Sequence, residues 1–172
     1  MAAAGEAAPR WSTTVIVSSS LQKHAAYRLL SSQQHRVRCS DSVESGCFIF
    51  PTAGIAFLLI DPHDLPEPLD EPRLLQQIES FVKVHRNCFV LLQAPPGGTR
   101  APHILTLIQN RFLGSNLRIL PVRNDAELVK GMLTIAKATS KPHADSIRDR
   151  MSLAKAHIID TSPMWEMLRD ML

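Results

Sequence analysis

Only 5% of the 172 residues are aromatic, too few to build the rows of stacked rings that hold long stretches of single-stranded nucleic acid. No apolar run exceeds the six residues 55–60 (IAFLLI), whereas a membrane-crossing helix needs roughly 20. Cysteine is scarce and odd in number: Cys39, Cys47 and Cys88 imply no disulfide framework. The alanine-rich first ten residues have no basic start leading into an apolar stretch. No secretory leader is therefore expected, and the three cysteines point to a reducing compartment, cytosol or nucleus.

The usual signatures of metal, nucleotide and nucleophile chemistry are also thin. Cys39 and Cys47 are eight apart, and His85-x-x-Cys88 is half of a zinc motif without a second pair. Packing is the better reading of Cys47 and Cys88, although a thiol–histidine pair meets only in space. The string PGGT at 96–99 lacks the lysine-serine/threonine end of a phosphate loop, and no glycine follows the first strand, as a dinucleotide site requires. Asp61 closes an apolar strand and is followed by Asp64, Glu67, Asp70 and Glu71. A metal-dependent enzyme would have to use these carboxylates, but they lie in a proline-rich stretch that reads as a solvated acidic surface. No metal or cofactor is expected.

What is present suits one soluble domain with 45% apolar and 20% charged residues. The net charge of +3 is unevenly spread: residues 1–40 and 100–141 are basic, 41–99 acidic, which permits an anionic partner. Apolar β-branched or aliphatic runs at 13–17, 47–50, 54–60, 88–92 and 117–122 predict strands, with a further short strand around Val37 and a turn over 41–46. Helical stripes fall at 21–33, from Leu74 onward, at 104–112, and from Asn124, whose spacing to Glu127 makes a capping box. Strand and helix alternate with connections that look too long for hairpins. The fold class is therefore α/β, a mostly parallel sheet flanked by helices.

Lys130, Lys137 and Lys141 share the polar side of the capped helix, and Arg111, Arg118 and Arg123 lie near them in sequence. Such a face either neutralises phosphates or is merely solvated. After Lys141-Pro142 no strand signal returns, and two short helices, 144–159 and 163–172, are expected. Ile158, Met164, Trp165 and Leu168 give this tail an apolar surface that must pack on its own sheet or on another chain. The organisation expected is a disordered start (1–11), an α/β domain (12–141) and a two-helix tail (142–172).

Particular strings add a resemblance. TTVIVSSSL (13–21), RCSDSVE (38–44), GIAFLL (54–59), RFLGSNLRILPV (111–122), TIAKATSKP (134–142), AKAHII (154–159) and SPMW (162–165) resemble the Spo-sixteen homologues of vertebrate meiosis. The likeness spans roughly 11–168. That family is similar to the non-catalytic half of the XPF nuclease heterodimer, an XPF nuclease-like α/β domain followed by helix-hairpin-helix elements.

The resemblance implies a heterodimer with an XPF-like shortage-of-crossovers protein. The pair would bind branched or single-stranded DNA, promote meiotic homologous recombination and crossing-over, meet other crossover proteins and support the synaptonemal complex on nuclear chromosomes. It also implies an inactive pseudonuclease. The Gly-Asp and Glu-Arg-Lys motifs of active relatives fall here on Ser45-Gly46 and Ala56-Phe57-Leu58, and no Glu-Arg-Lys string occurs in the chain. The last glycine is Gly131, so the tail lacks the glycine hairpin that binds phosphate in complete helix-hairpin-helix modules. It is expected to serve dimerisation, with Ile158, Met164, Trp165 and Leu168 as anchors and the six basic residues as DNA contacts. The alternative is a structural scaffold of the synaptonemal complex without DNA contact.

Overall fold

The computed structural model describes residues 11–161, with backbone alone for 141–148 and 155–161. Ten principal elements follow in order: β1 (Thr14–Ser18), α1 (Ala25–Ser32), β2 (Arg36–Ser40), β3 (Cys47–Phe50), β4 (Ile55–Ile60), α2 (Glu71–Val84), β5 (Cys88–Gln93), α3 (Arg100–Arg111), β6 (Arg118–Val122) and α4 (Asp125–Thr161). The six strands form one sheet in the order β2-β1-β3-β4-β5-β6. Five run in the same direction and β3 opposes them, so the mostly parallel α/β sheet read from the sequence is what forms.

The strand order explains the layering. From β1 the chain steps outward to β2, whereas β4, β5 and β6 step toward the other edge. Crossovers of one hand taken in opposite directions place their helices on opposite faces. Accordingly α2 and α3 bury Leu74, Ile78, Phe81, Ile104 and Ile108 against Cys47, Ala56, Leu58, Val90 and Leu92. On the other face α1 and α4 bury Ala26, Leu30, Leu128, Met132 and Ala136 against Val15, Val17, Phe48, Phe50, Phe57 and Leu91. Successive residues of β4 thus serve two cores, and its near-complete burial accounts for its unbroken apolar sequence.

Several expectations shift. The connection between β3 and β4 is a hairpin closed by residues 51–54, with Cys47 opposite Leu58 and Phe50 opposite Ile55, so not every link is a crossover. The strands at 36–40 and 47–50 flank the expected turn but do not pair, because β1 lies between them. The first helix begins later than its apolar stripe: a 3-10 turn covers Ser19–Leu21, and α1 starts where His24 Nδ1 accepts the Ala26 N–H at 3.1 Å.

Two helices instead start early. Pro72 sits in the first turn of α2, where its missing donor costs nothing, and Asp70 accepts the Arg73 N–H. α3 opens at Arg100, four residues ahead of its apolar stripe.

The largest departure is at the end. The helix opened by Asn124, whose Oδ1 accepts the Glu127 N–H at 2.8 Å, does not stop at Lys141-Pro142 but continues to Thr161. A single interior proline removes one helical hydrogen bond. The turns before it are held by tertiary packing, and good helix formers follow it. The expected second helix at 163–172 lies outside the described residues.

α4 approaches the sheet closely at one point: a Cβ on Gly131 would come within 2.9 Å of Leu120 Cδ2. Replacing Gly131 with Val should force Leu120 aside and lower stability by about 1–3 kcal/mol, measurable by urea unfolding of the full chain.

Candidate partner and nucleic-acid surfaces

In open α/β sheets chemistry gathers at the carboxyl ends of the strands. Here the part of that rim at β1, β3 and β4 is closed by hydroxyls and backbone. Leu59 N–H donates to the Gly46 carbonyl at 2.9 Å, so Ser45-Gly46 faces the Leu59 end of β4. Ala56-Phe57-Leu58 lies deeper in the hairpin, all three buried. Gly46 N–H donates to Ser20 Oγ at 3.0 Å, and Ser20 Oγ lies 3.0 Å from Ser18 Oγ. Gly46 adopts φ +80°, and a Cβ there would also press on the Leu59 carbonyl oxygen at 3.3 Å.

Of the acidic residues beyond β4, three are engaged locally. Asp61 Oδ1 accepts the His63 N–H at 3.0 Å and caps a short 3-10 turn. Asp70 caps α2, and Glu71 lies 3.2 Å from His103. Arg100, which the sequence reading passed over, donates through Nη1 to the carbonyls of Pro62 (2.8 Å) and Leu65 (3.1 Å) and through Nη2 to Pro66. One guanidinium fork thus organises a loop whose prolines supply no donors of their own. Among the described residues, no group of three or more His, Cys, Asp and Glu stands close enough to hold a metal ion.

The six basic residues do not converge. Arg111 ends α3, 3.5 Å from Glu79 and over the Phe112 ring. Arg118 opens β6 and rests over Phe89 on the α4 side of the sheet, in a cleft shared with Thr139. Arg123 follows the far end of the same strand and is exposed. Five residue steps along the strand, roughly 17 Å, separate these two arginines. Lys130 and Lys137 are brought together, lining one groove of about 540 Å³ with Trp11, His35 and Thr134. Of Lys141 only the backbone, within α4, is described.

Similarity to known proteins accords with this architecture. The family model "Protein SPO16 homolog" matches residues 9–171. The human protein SPO16 homolog (Homo sapiens) is 46% identical over 169 residues, covering 98% of this chain and 93% of its own length. The chain belongs to the SPO16 homolog family. Among solved structures, XPF from Aeropyrum pernix in complex with DNA superposes with a TM-score of 0.60 at 16% identity, over 76% of this chain and 66% of that one. XPF from the same organism gives 0.62 at 14%, over 83% and 73%. At such identities the likeness speaks for the fold alone: this SPO16 family member has an XPF-like α/β fold.

The anchors expected in the tail fall at the edge of what is described. Ile158 lies in α4 with backbone only, and Met164, Trp165 and Leu168 lie outside the described residues. The structure does describe residues 149–154, and all six are exposed. Six residues make more than one and a half helical turns, so no side of α4 is covered there. Met151 and Leu153 are 67% and 72% exposed, apolar side chains that the sequence reading had not singled out.

The cysteines are placed for packing. Burial, reinforced by the nearby Glu44 carboxylate, pushes the Cys47 thiol up to about 12. Burial also raises Cys88 and lowers His85, the latter opposed by Glu44. A raised thiol pKa leaves both groups protonated, hence poor nucleophiles, at neutral and mildly alkaline pH. Only Cys39 is exposed. Titration of the native chain with a chromogenic disulfide at pH 8 should therefore release about one thiol equivalent rapidly, and three after denaturation. Rapid release of two or three from the native chain would contradict this assignment.

Proposed function

We propose that this chain is a non-catalytic subunit that docks onto an XPF-like partner through the outer part of α4 and the residues beyond it. The pair would act on branched DNA intermediates of meiotic recombination, on chromosomes in the nucleus. The observation that carries the proposal is the bare stretch 149–154. A helix seated on the sheet for its first four turns continues with Met151 and Leu153 in water, and unsupported helix of this kind is stable when a second surface covers it. Ile158, seven residues on, would continue the Met151 side of α4, and Met164, Trp165 and Leu168 would add apolar contacts to the partner, tryptophan being a frequent anchor at such contacts. In this reading residues 142–172 act as the docking tail and 12–141 as the body.

Membership of the SPO16 homolog family supports the meiotic setting, including promotion of crossing-over and support of the synaptonemal complex. The XPF-like fold supports both pairing with an XPF-like subunit and a DNA-bound role, since one similar structure is an XPF in complex with DNA. The Ser18–Ser20–Gly46 closure of the strand ends supports loss of cleavage. Hydrolysis of a phosphodiester by paired metal ions needs carboxylate ligands, and Asp61, Asp70 and Glu71 are engaged in caps and an ion pair. Lys130, Lys137 and Lys141, with Arg111, Arg118 and Arg123 as outlying charges, would contact phosphates from the body of the subunit.

Co-expression with an XPF-like meiotic partner, followed by size-exclusion chromatography with light scattering, should give a 1:1 complex that survives nuclease treatment. Met151→Asp with Leu153→Asp, and separately Trp165→Ala, should each weaken that complex at least tenfold while leaving the thermal unfolding of the isolated chain within about 2 °C of wild type. A wild-type chain that ignores the partner, or variants that bind it normally, would overturn the docking assignment. With magnesium and a labelled four-way junction, the purified chain should yield no cleavage product, and cutting would overturn the non-catalytic reading.

A further inference from the structure

We infer that the groove between the start of β1, the end of α1 and the outer face of α4 binds one unstacked nucleotide of a single-stranded DNA segment. This deepens the DNA-facing part of the reading above by naming the strand form and the residues that meet it. Trp11 supplies an indole wall, Lys130 and Lys137 supply ammonium groups, and Leu133 lines the apolar floor. The lysines are seven residues apart on one helix, so they lie on the same side about 10.5 Å apart along the axis. None of the groove's lining residues is a carboxylate, so the positive field is not neutralised from within.

The indole is held by its neighbours. Thr13 N–H donates to His35 Nδ1 at 3.2 Å, and the fixed imidazole meets the Trp11 ring edge-on at a centroid distance of 5.6 Å. Thr134 Oγ1 donates to the Lys130 carbonyl at 2.7 Å, which commits its proton to the helix and leaves its lone pairs outward. Lys130 and Lys137 are the ammonium groups the groove offers an anion. Duplex DNA presents phosphates but keeps its bases stacked, so it uses the lysines and not the indole. A nucleotide out of the stack uses both, with its phosphate on the ammonium groups and its base on the ring. The volume of about 540 Å³ fits one such unit, in keeping with a chain whose few aromatics preclude a longer stacking track. An acidic peptide would match the charge but gain little from the indole.

The test is fluorescence anisotropy with a labelled oligothymidylate, the same length of duplex, and polyglutamate as competitor, using the full-length chain. Wild type should bind the single strand at least tenfold tighter than the duplex, and polyglutamate should compete poorly. Trp11→Leu, which keeps an apolar group in place, should lose about tenfold for the single strand and leave duplex binding unchanged. Lys130→Gln with Lys137→Gln, both exposed and outside the core, should weaken both nucleic acids. The doubly neutralised variant should also flatten the salt dependence for the single strand by about 0.7 logarithmic units per decade, the value for one phosphate contact.

Equal affinity for duplex and single strand would overturn the assignment. So would efficient displacement by polyglutamate, or oligothymidylate binding indifferent to the lysine pair. Should Trp11→Leu fail to fold, the preference for single strand over duplex and the lysine pair still decide the matter. Because the chain is assayed without its partner, failure of the docking assignment leaves this outcome readable, and the reverse holds as well.

Discussion

One face of the sheet presents Phe48, Phe50, Phe57 and Leu91, and the eight-residue α1 is too short to cover them. The first turns of α4 complete the layer, and Gly131 lets the helix backbone settle against Leu120. Exposed aromatic and aliphatic area of this size would cost several kcal/mol if left in water. The position of α4 is therefore imposed by the core. The second half of the helix continues past the sheet through Pro142. The bare residues 149–154 and the lysine-lined groove beside Trp11 are two consequences of that single seating.

The opposite layer has a different task. α2 and α3 close the second core, and Arg100 reaches back from α3 to the carbonyls of the 62–66 loop. The acidic segment is thereby held as a loop with a definite course. Asp61 and Asp70 cap helix starts, and Glu71 pairs with His103 at the surface. At the neighbouring strand ends, Ser20 and Gly46 are joined by a direct hydrogen bond. In an XPF-like fold from a SPO16 homolog family member, the β1, β3 and β4 part of the rim where sheets of this class gather their chemistry thus carries hydroxyls and backbone groups that bond one another.

Much of the body was legible from local pattern. The runs 54–60 and 88–92 are apolar without alternation because they serve both cores, and residues of that kind have few alternatives to a central strand. The run 13–17, expected to be buried on both faces, instead alternates, with Val15 and Val17 buried and Thr14 and Ile16 half-buried. Asn124 and Glu127 marked the start of α4 to within a residue. The hairpin at 51–54 was missed because its turn carries proline and threonine ahead of a single glycine, and because β1 intrudes between β2 and β3. That insertion is a long-range pairing with no local signature. The continuation of α4 through Pro142 was missed because a proline signals a stop only when nothing else holds the helix. Within the candidate site, Lys130 and Lys137 were legible as one face of a periodic helix. Trp11, His35 and Arg100 were not, since each acts on partners more than twenty residues away.

Sequence alone determined which segments are core and which are surface, the α/β class, the family, and the poverty of metal-binding motifs. These properties reside in residue type and short-range spacing, which transfer free energy and backbone sterics read directly. Tertiary structure decided which strand lies beside which, which of the six basic residues share a groove, and where α4 leaves the sheet. Those outcomes depend on how two cores compete to cover one sheet, a balance of buried area over the whole chain that no window of neighbouring residues contains.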